Sequence, residues 1–174
     1  MIKMKHLLLT IAAIALFGGI LSAQNRIVIS KKDFRLYVFN SNDSLIYTTD
    51  VCLGENLGNK TRNGDHKTPE GKFTIMSIEN SSAWKDFDGK FRASYGPWFM
   101  RLKMPRFRSI GIHGTNEPES IGTRASMGCV RLHNDELLRL KELVKIGTPV
   151  EILAEDEEFV IAPPTNEPTE PTEK

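Results

Sequence analysis

The alternation of apolar and polar residues is typical of β-strands along most of the chain. In the segment KFTIMSI at residues 72–78, Phe73 and Ile75 alternate with residues that face the other side, as expected for a strand with one buried face. Short apolar and aromatic runs predict further strands, at residues 26–30, 35–39, 44–53, 98–103, 109–113 and 149–153. The first two runs flank Lys31-Lys32-Asp33, which predicts a hairpin turn.

Helical spacing occurs in one late segment. Leu137, Leu140 and Val144 fall on one face of a helix, and two acidic residues occupy its first turn. Asn134 precedes them and is expected to cap a helix at about residues 135–146. Several strands with one short helix predict a mainly β domain, either a β-sandwich or an open barrel.

Residues 1–23 have the composition of a signal peptide. Basic residues precede an apolar run of 15 residues, and Ser22-Ala23 offers a small-residue cleavage site before Gln24. The alternative is a transmembrane anchor, but a spanning helix needs about 20 apolar residues. We therefore expect a protein secreted across the inner membrane into the periplasm or cell envelope, with no stable membrane span after cleavage.

The other end of the chain is acidic and rich in proline and threonine. Residues 155–174 contain seven acidic residues and one lysine, which predicts a disordered tail because such a segment buries too little apolar surface to order itself. Residues 24–154 remain as one domain and carry 20 basic and 15 acidic residues, whereas the whole chain has a net charge of +1. That excess suits an anionic envelope substrate but is too small to indicate nucleic-acid binding.

The candidate chemistry is concentrated between residues 110 and 136. His113 ends a predicted strand, and Cys129 follows sixteen residues later within SMGCVR. A thiol is mostly protonated at neutral pH, so a neighbouring imidazole is needed to take its proton. Gly128 lets the backbone approach a substrate carbonyl, and nearby amides would face the developing oxyanion. Arg131 lies two residues beyond the cysteine, on the same face of an extended segment, where it would hold a substrate carboxylate.

Two structural alternatives use the same residues. An exported chain with two cysteines favours a disulfide between Cys52 and Cys129, although Cys52 lies in an apolar strand where a free thiol packs as a small hydrophobe. Cys129 and His133 lie four residues apart, and His113 or His66 would complete a zinc shell. A disulfide leaves His113 without a role, and no carboxylate has ligand-like spacing. We therefore prefer a thiol–imidazole pair, with His66 in a solvated loop and His133 at the surface.

The stretch that begins at His113 resembles the catalytic signature of the L,D-transpeptidase family, the YkuD-type domain. The resemblance is carried by HGT at residues 113–115, IGTRAS at residues 121–126, MGCVRL at residues 127–132, KTPEGKFTI at residues 67–75 and GTPVEI at residues 147–152. It extends over residues 27–153, nearly the whole predicted domain, so residues 24–154 are expected to be an L,D-transpeptidase catalytic domain.

The resemblance implies a mainly β fold and a role for each matched residue. Cys129 matches the nucleophile, His113 the general base, and Gly114 the residue whose backbone carbonyl orients the imidazole. The oxyanion site is expected at the amides of Met127, Gly128 and Cys129. Many family members have a histidine where this chain has Met127, so no acid–base role is assigned there.

The candidate substrate-binding residues are Arg131, Ser126, Tyr95 and Trp98. Arg131 matches a substrate-contacting arginine of the family, and one of the aromatic residues Trp84, Tyr95 and Trp98 is expected to line the groove. The basic residues Arg101, Lys103, Arg106 and Arg108 either face the wall polymer or lie on a solvated strand edge, and we prefer the strand edge.

The resemblance also implies a reaction. Cys129 would attack the carbonyl of the third residue of a peptidoglycan tetrapeptide stem and release D-alanine, and the acyl group would pass to an amine in a 3→3 cross-link. Water as the acceptor would make the protein an L,D-carboxypeptidase, and a protein amine would make it an anchoring enzyme. No metal or organic cofactor is required, and a monomer is expected.

Two other classes of protein were weighed. A papain-like endopeptidase also pairs cysteine with histidine, but there the cysteine comes first in the chain, whereas here His113 precedes Cys129. A non-catalytic, disulfide-stapled wall-binding module would need no reactive thiol.

Overall fold

The computed structural model describes residues 24–85 and 93–161, which form ten strands and one α-helix. The strands are β1 (Arg26–Ser30), β2 (Arg35–Phe39), β3 (Leu45–Asp50), β4 (Leu53–Gly54), β5 (Gly71–Asn80), β6 (Trp98–Leu102), β7 (Gly111–His113), β8 (Arg124–Ser126), β9 (Val130–Arg131) and β10 (Pro149–Ile152). Helix α1 (Asn134–Leu143) lies between β9 and β10. Single turns of 3₁₀ helix occur at Ala93–Tyr95 and Pro118–Ser120.

Eight of the strands form one sheet in the order β3-β2-β1-β10-β5-β6-β7-β9, and β4 pairs with β8 separately. The first and last strands lie side by side near the middle, where β1 runs parallel to β10 with Ile27 opposite Val150. The large sheet curls into a half-barrel that packs with the single helix. The predicted mainly β, open-barrel architecture is confirmed.

The predicted strands are present, most with bounds that differ by one or two residues, and one of them is divided. β1 and β2 form the expected hairpin, and the Ser30 hydroxyl donates to Asp33 Oδ2 at 2.7 Å inside its turn. The predicted strand at residues 44–53 is divided, because β3 pairs with β2 whereas β4 leaves the large sheet to pair with β8. β6 lies between β5 and β7, so its residues are inside the sheet rather than on a solvated edge.

Helix α1 differs from its prediction at both ends. It ends at Leu143, three residues early, because Val144 is extended and the Lys145 N–H donates to Thr148 Oγ1 at 3.0 Å instead of continuing the helix. Asn134 is the first helical residue and not the N-cap, a position that His133 takes without a side-chain capping bond. The Asn134 side chain contacts the loop after β7.

The main core lies between the curled sheet and α1. Its fully buried side chains come from strands in both halves of the sheet and from the inner face of the helix. They include Ile29, Leu36, Met100, Ile112 and Leu137. Burial of such side chains, each contributing about 1.5–3 kcal/mol, holds β7 and β9 in place. The positions of the candidate residues on these two strands are therefore fixed by the core.

The segment that follows β10 packs on the domain as far as Phe159. Glu155 forms ion pairs with the fully buried Lys31, at 2.8 Å, and with Arg124 in β8. Phe159 covers the outer face of β2, with its ring centroid 5.0 Å from that of Tyr37. The acidic segment predicted as a disordered tail therefore begins with residues that complete the fold, and residues 162–174 lie outside the described part.

The predicted signal peptide, residues 1–23, also lies outside the described residues. Within the part of the chain that the structure describes, no helix has the length and apolar character needed to cross a membrane.

Candidate active site

Two adjacent strands bring His113 and Cys129 together. β7 and β9 pair in parallel, with Ile112 opposite Val130 and His113 opposite Arg131. Cys129 lies directly before β9 and two residues before Arg131, so its side chain leaves the same face of the sheet as that of His113. The register of the two strands is thus compatible with the thiol–imidazole pair predicted from the sequence.

The His113 imidazole is enclosed on three sides. It is 3% exposed, stacks on Phe99 with ring centroids 5.4 Å apart, and meets the edge of Tyr95 at 5.0 Å. Its Nδ1 lies 2.5 Å from the carbonyl oxygen of Gly114, the contact predicted for that residue. A backbone carbonyl accepts only, so Nδ1 carries the proton and donates it, and Nε2 keeps its lone pair.

Burial lowers the pKa of His113 to about 4, and the positive charge of Arg131 acts in the same direction. The hydrogen bond to the Gly114 carbonyl opposes this shift by favouring the charged ring. At neutral pH the imidazole is therefore uncharged and able to accept a proton.

The Cys129 thiol is partly buried immediately before the start of β9. Sγ donates to the carbonyl oxygen of Ser109 at 3.4 Å, and burial raises its pKa. A hydrogen bond from the Gly111 backbone and the positive charges of Arg131, Lys60 and Arg101 oppose that shift by stabilising a thiolate. The resting pair is a neutral thiol and a neutral imidazole.

Ser126 shapes the turn that presents the nucleophile. Its hydroxyl donates to the Cys129 carbonyl at 2.6 Å and accepts the Gly128 N–H at 3.0 Å, and the residue is 1% exposed. Ser126 was expected to contact substrate, but it is buried beneath the turn because these two bonds use its hydroxyl. The Gly128 N–H is likewise occupied, whereas the N–H groups of Met127 and Cys129 have no hydrogen-bond partner among the described residues.

Gly128 is required by its backbone and by its neighbours. Its φ of +121° lies in a region that side chains rarely adopt, and a Cβ there would stand 2.6 Å from the Lys67 carbonyl oxygen. The loop before β5 therefore packs directly under the turn. The sequence identified this glycine from its place next to the cysteine, but the contact with Lys67 was not foreseen.

Arg131 is already paired. Its Nη1 donates to Glu117 Oε2 at 2.7 Å, and its side chain is 15% exposed. Arg131 is opposite His113 in the paired strands, and its charge influences the pKa of both His113 and Cys129. A substrate carboxylate would have to share this guanidinium with Glu117.

Of the candidate aromatic residues, Tyr95 lies at the site. It contacts the His113 ring and lines a cleft of about 680 Å³ beside Cys129. Trp84 packs behind it, with ring centroids 5.5 Å apart. Trp98 was expected to contact substrate, but it packs against the main core and under Lys141 of α1, whose Nζ is 4.6 Å from the ring centroid.

Asn134 holds the loop that orients the imidazole. Its Oδ1 accepts the Thr115 N–H at 2.9 Å, and its Nδ2 donates to the Thr115 carbonyl at 3.0 Å. Gly96 and Gly114 pack so closely on this amide that a Cβ on either would lie within about 2.2 Å of Oδ1. Sequence reasoning assigned Asn134 to a helix cap, and nothing in the local pattern indicated the contact nineteen residues upstream.

The two alternatives for Cys129 are not formed in the structure. Cys52 and Cys129 are both free, and Cys52 is fully buried between β3 and β4. Among residues 24–85 and 93–161, no group of three or more His, Cys, Asp or Glu side chains is placed to hold a metal ion. His66 instead pairs with Glu55 at 2.6 Å.

Comparisons with known proteins agree with this geometry. The family model of the L,D-transpeptidase catalytic domain (YkuD) matches residues 24–152. A putative L,D-transpeptidase YkuD of Bacillus licheniformis is 31% identical over 121 residues, which cover 70% of this chain and 59% of that protein. A putative L,D-transpeptidase YqjB of Bacillus subtilis is 33% identical over 100 residues, covering 55% of this chain and 57% of the relative. The chain thus spans less than two thirds of these relatives.

Solved structures show the same fold. The catalytic domain of an Enterococcus faecium L,D-transpeptidase superposes with a TM-score of 0.56 at 22% identity, covering 75% of this chain and 98% of that domain. The helical cell shape determining protein Pgp2 from Campylobacter jejuni superposes with a TM-score of 0.59 at 20% identity, covering 77% of this chain and 49% of that protein. From the matched residues and the shared fold, the chain belongs to the YkuD family of L,D-transpeptidase catalytic domains.

Proposed function

We propose that the protein is a peptidoglycan L,D-transpeptidase of the cell envelope, in which Cys129 is the nucleophile and His113 the general base. The observation that carries this proposal is the buried, uncharged imidazole, whose Nδ1 donates to the Gly114 carbonyl and whose strand pairs in parallel with the strand that directly follows Cys129. Membership of the family supports the substrate class, a tetrapeptide stem.

The chemistry begins with a neutral pair. Because the pKa of Cys129 is raised and that of His113 is lowered, a free thiolate–imidazolium pair is disfavoured before substrate binds. His113 Nε2 therefore takes the thiol proton as Sγ forms its bond to the carbonyl carbon of the third stem residue. The N–H groups of Met127 and Cys129 are the free donors for the oxyanion.

Collapse of this intermediate breaks the bond to D-alanine, whose amine takes the proton from His113. An acceptor amine then attacks the thioester and gives its proton to His113, and the thiol is restored when the amide forms. Water or a protein amine in place of the stem amine would give carboxypeptidase or anchoring activity by the same steps. The enzyme would act as a monomer in the periplasm, after removal of residues 1–23.

The test is intact-mass analysis of residues 24–174 incubated with tetrapeptide muropeptides. We expect an acyl adduct on Cys129, release of D-alanine, and cross-linked dimers, with tripeptides in their place if water is the acceptor. Cys129→Ala should give no adduct, and Cys52→Ala, which removes the other thiol, should react as the unaltered protein does. An adduct that persists in Cys129→Ala, or no D-alanine release from a folded protein with free Cys129, would contradict the proposal.

A further inference from the structure

The cleft beside Cys129 has an unusual concentration of positive charge. Four of the residues that line it are basic, and they are Lys60, Arg101, Arg106 and Arg108. No acidic residue lines it within the part of the chain that the structure describes. Tyr95 and the exposed Met127 complete its wall on the sides nearest His113 and the nucleophile turn.

Two of the four cations are neutralised by the protein itself. Lys60 Nζ lies 2.7 Å from Asp65 Oδ1, and the two side chains are 3% and 5% exposed. Arg101 Nε lies 2.9 Å from Glu79 Oε1. These two ion pairs shape the wall of the cleft, but each is neutral overall and adds no net charge to the cleft.

The other two cations have no such partner. Arg106 and Arg108 are exposed, and neither forms an ion pair with an acidic residue among residues 24–85 and 93–161. Two unpaired guanidiniums at one opening attract anions and bind carboxylates in two-pronged hydrogen bonds. Among the lining residues that the structure describes, the cleft therefore carries two positive charges that no acidic side chain pairs.

The loop that bears these arginines is tied to the nucleophile. The Arg108 carbonyl accepts from Arg101 Nη1 at 2.7 Å, and the next residue, Ser109, accepts the Cys129 thiol proton. The loop that carries both arginines thus leads directly into the residue that accepts the thiol proton, and its side chains line the same cleft as Ser109. Arg131, the arginine identified from the sequence, is paired with Glu117 and does not line this cleft.

We propose that Arg106 and Arg108 form a carboxylate-binding subsite that selects donor stems with a free carboxylate over stems in which that carboxylate is amidated. The proposal rests on the function proposed above. A stem peptide presents carboxylates both on its inner residues, which stay in the thioester, and on the D-alanine that leaves. The shared chemistry is a carboxylate, and the test distinguishes its two sources.

The first experiment measures kcat/KM for three donors: the free stem, a stem amidated at its inner carboxylates, and a stem amidated at its terminal D-alanine. We expect one amidated donor to react about 10-fold more slowly or worse, since amidation removes the charge from a charge-assisted hydrogen bond. The double variant Arg106→Gln, Arg108→Gln should lose that preference, and the amidated position identifies the carboxylate. A preference that survives in the double variant, or equal rates for all three donors, would overturn the proposal.

The second experiment does not depend on the proposed reaction. Cys129 is alkylated in the full protein with iodoacetate, which is anionic, and with iodoacetamide, which is neutral and of similar size. The iodoacetate-to-iodoacetamide rate ratio should fall several-fold in the double variant, and the difference should shrink in high salt. Lys72→Gln, Lys103→Gln removes the same charge from a different surface depression and should leave the ratio unchanged.

The two experiments separate the two claims. A lower alkylation ratio in a protein that transfers no acyl group supports the anion subsite and removes the proposed function. An unchanged ratio in an active enzyme overturns the subsite alone.

Discussion

Acidification should destabilise this protein through one buried histidine. The pKa of His113 is about 4 in the fold, against 6.5 for an ordinary histidine in the unfolded chain. Between these values the unfolded chain binds more protons than the folded one, so the free energy of unfolding falls as the pH falls. The full free energy of unfolding is present above pH 6.5, and the loss grows as the pH falls until it reaches about 3 kcal/mol below pH 4.

The measurement is urea unfolding at pH 7.5 and pH 4.5 for the unaltered protein and for His113→Gln, which keeps a side chain of similar length that does not titrate. The unaltered protein should lose about 2–3 kcal/mol more than the variant between the two pH values. Cys129→Ala, which disrupts the pair but retains the histidine, should follow the unaltered protein. Equal losses in the unaltered protein and His113→Gln would show that His113 is not held uncharged by burial.

The same shift sets the pH dependence of the reaction. Because the base stays uncharged down to about pH 4, the acid limb of kcat/KM should have its midpoint well below 6.5. A midpoint near 6.5 would mean that the imidazole is as well solvated as a free histidine.

Two further predictions concern the contacts around the pair. Gly128→Ala should lower the free energy of unfolding by at least about 2 kcal/mol, since its Cβ would meet the Lys67 carbonyl oxygen at 2.6 Å. The control Gly122→Ala, at φ +82° in open space, should lower it by only about 1 kcal/mol. Equal losses for the two variants in urea unfolding would remove the packing argument. Asn134→Ala leaves the Thr115 N–H and carbonyl without partners and should cost about 2 kcal/mol while lowering kcat more than it raises KM. An unaltered kcat would show that the Gly114 carbonyl is held without the Asn134 side chain.

Local patterns predicted those features that local chemistry determines. Alternation identified the strands because one buried face imposes a two-residue period. The sequence spacing of His113 and Cys129 was informative because the two residues lie at the ends of short strands that pair with each other. The Gly114 carbonyl contact came from the family resemblance, and the structure places it at 2.5 Å.

Tertiary contacts decided what the sequence could not predict. Asn134 has the propensity of an N-cap, but its amide instead bonds both polar groups of the Thr115 backbone. Ser126 was expected in the groove because it adjoins the nucleophile turn, yet its hydroxyl is consumed inside that turn. The pairing of Arg131 with Glu117 depends on the fold of a loop fourteen residues upstream and left no signal in the motif.

The basic residues were misjudged for a different reason. Arg106 and Arg108 follow a strand, and charged residues there are typical of a protected sheet edge. The sheet order places β7 beyond β6, so β6 is not an edge strand. The loop between β6 and β7 turns back toward Cys129, whose thiol donates to the Ser109 carbonyl. Strand order depends on pairing between distant segments and is not encoded in the residues of one strand.

The parallel pairing of β1 with β10 has a consequence for how the chain folds. Residue 27 meets residue 150 near the middle of the sheet, and β10 is the sole link between β3-β2-β1 and β5-β6-β7-β9 among the described strands. Contacts of such large sequence separation form slowly, because a long loop must close before they are gained. The sheet cannot be completed until nearly the whole domain is available, so its two groups of strands stay unconnected by hydrogen bonds in a partly synthesised chain.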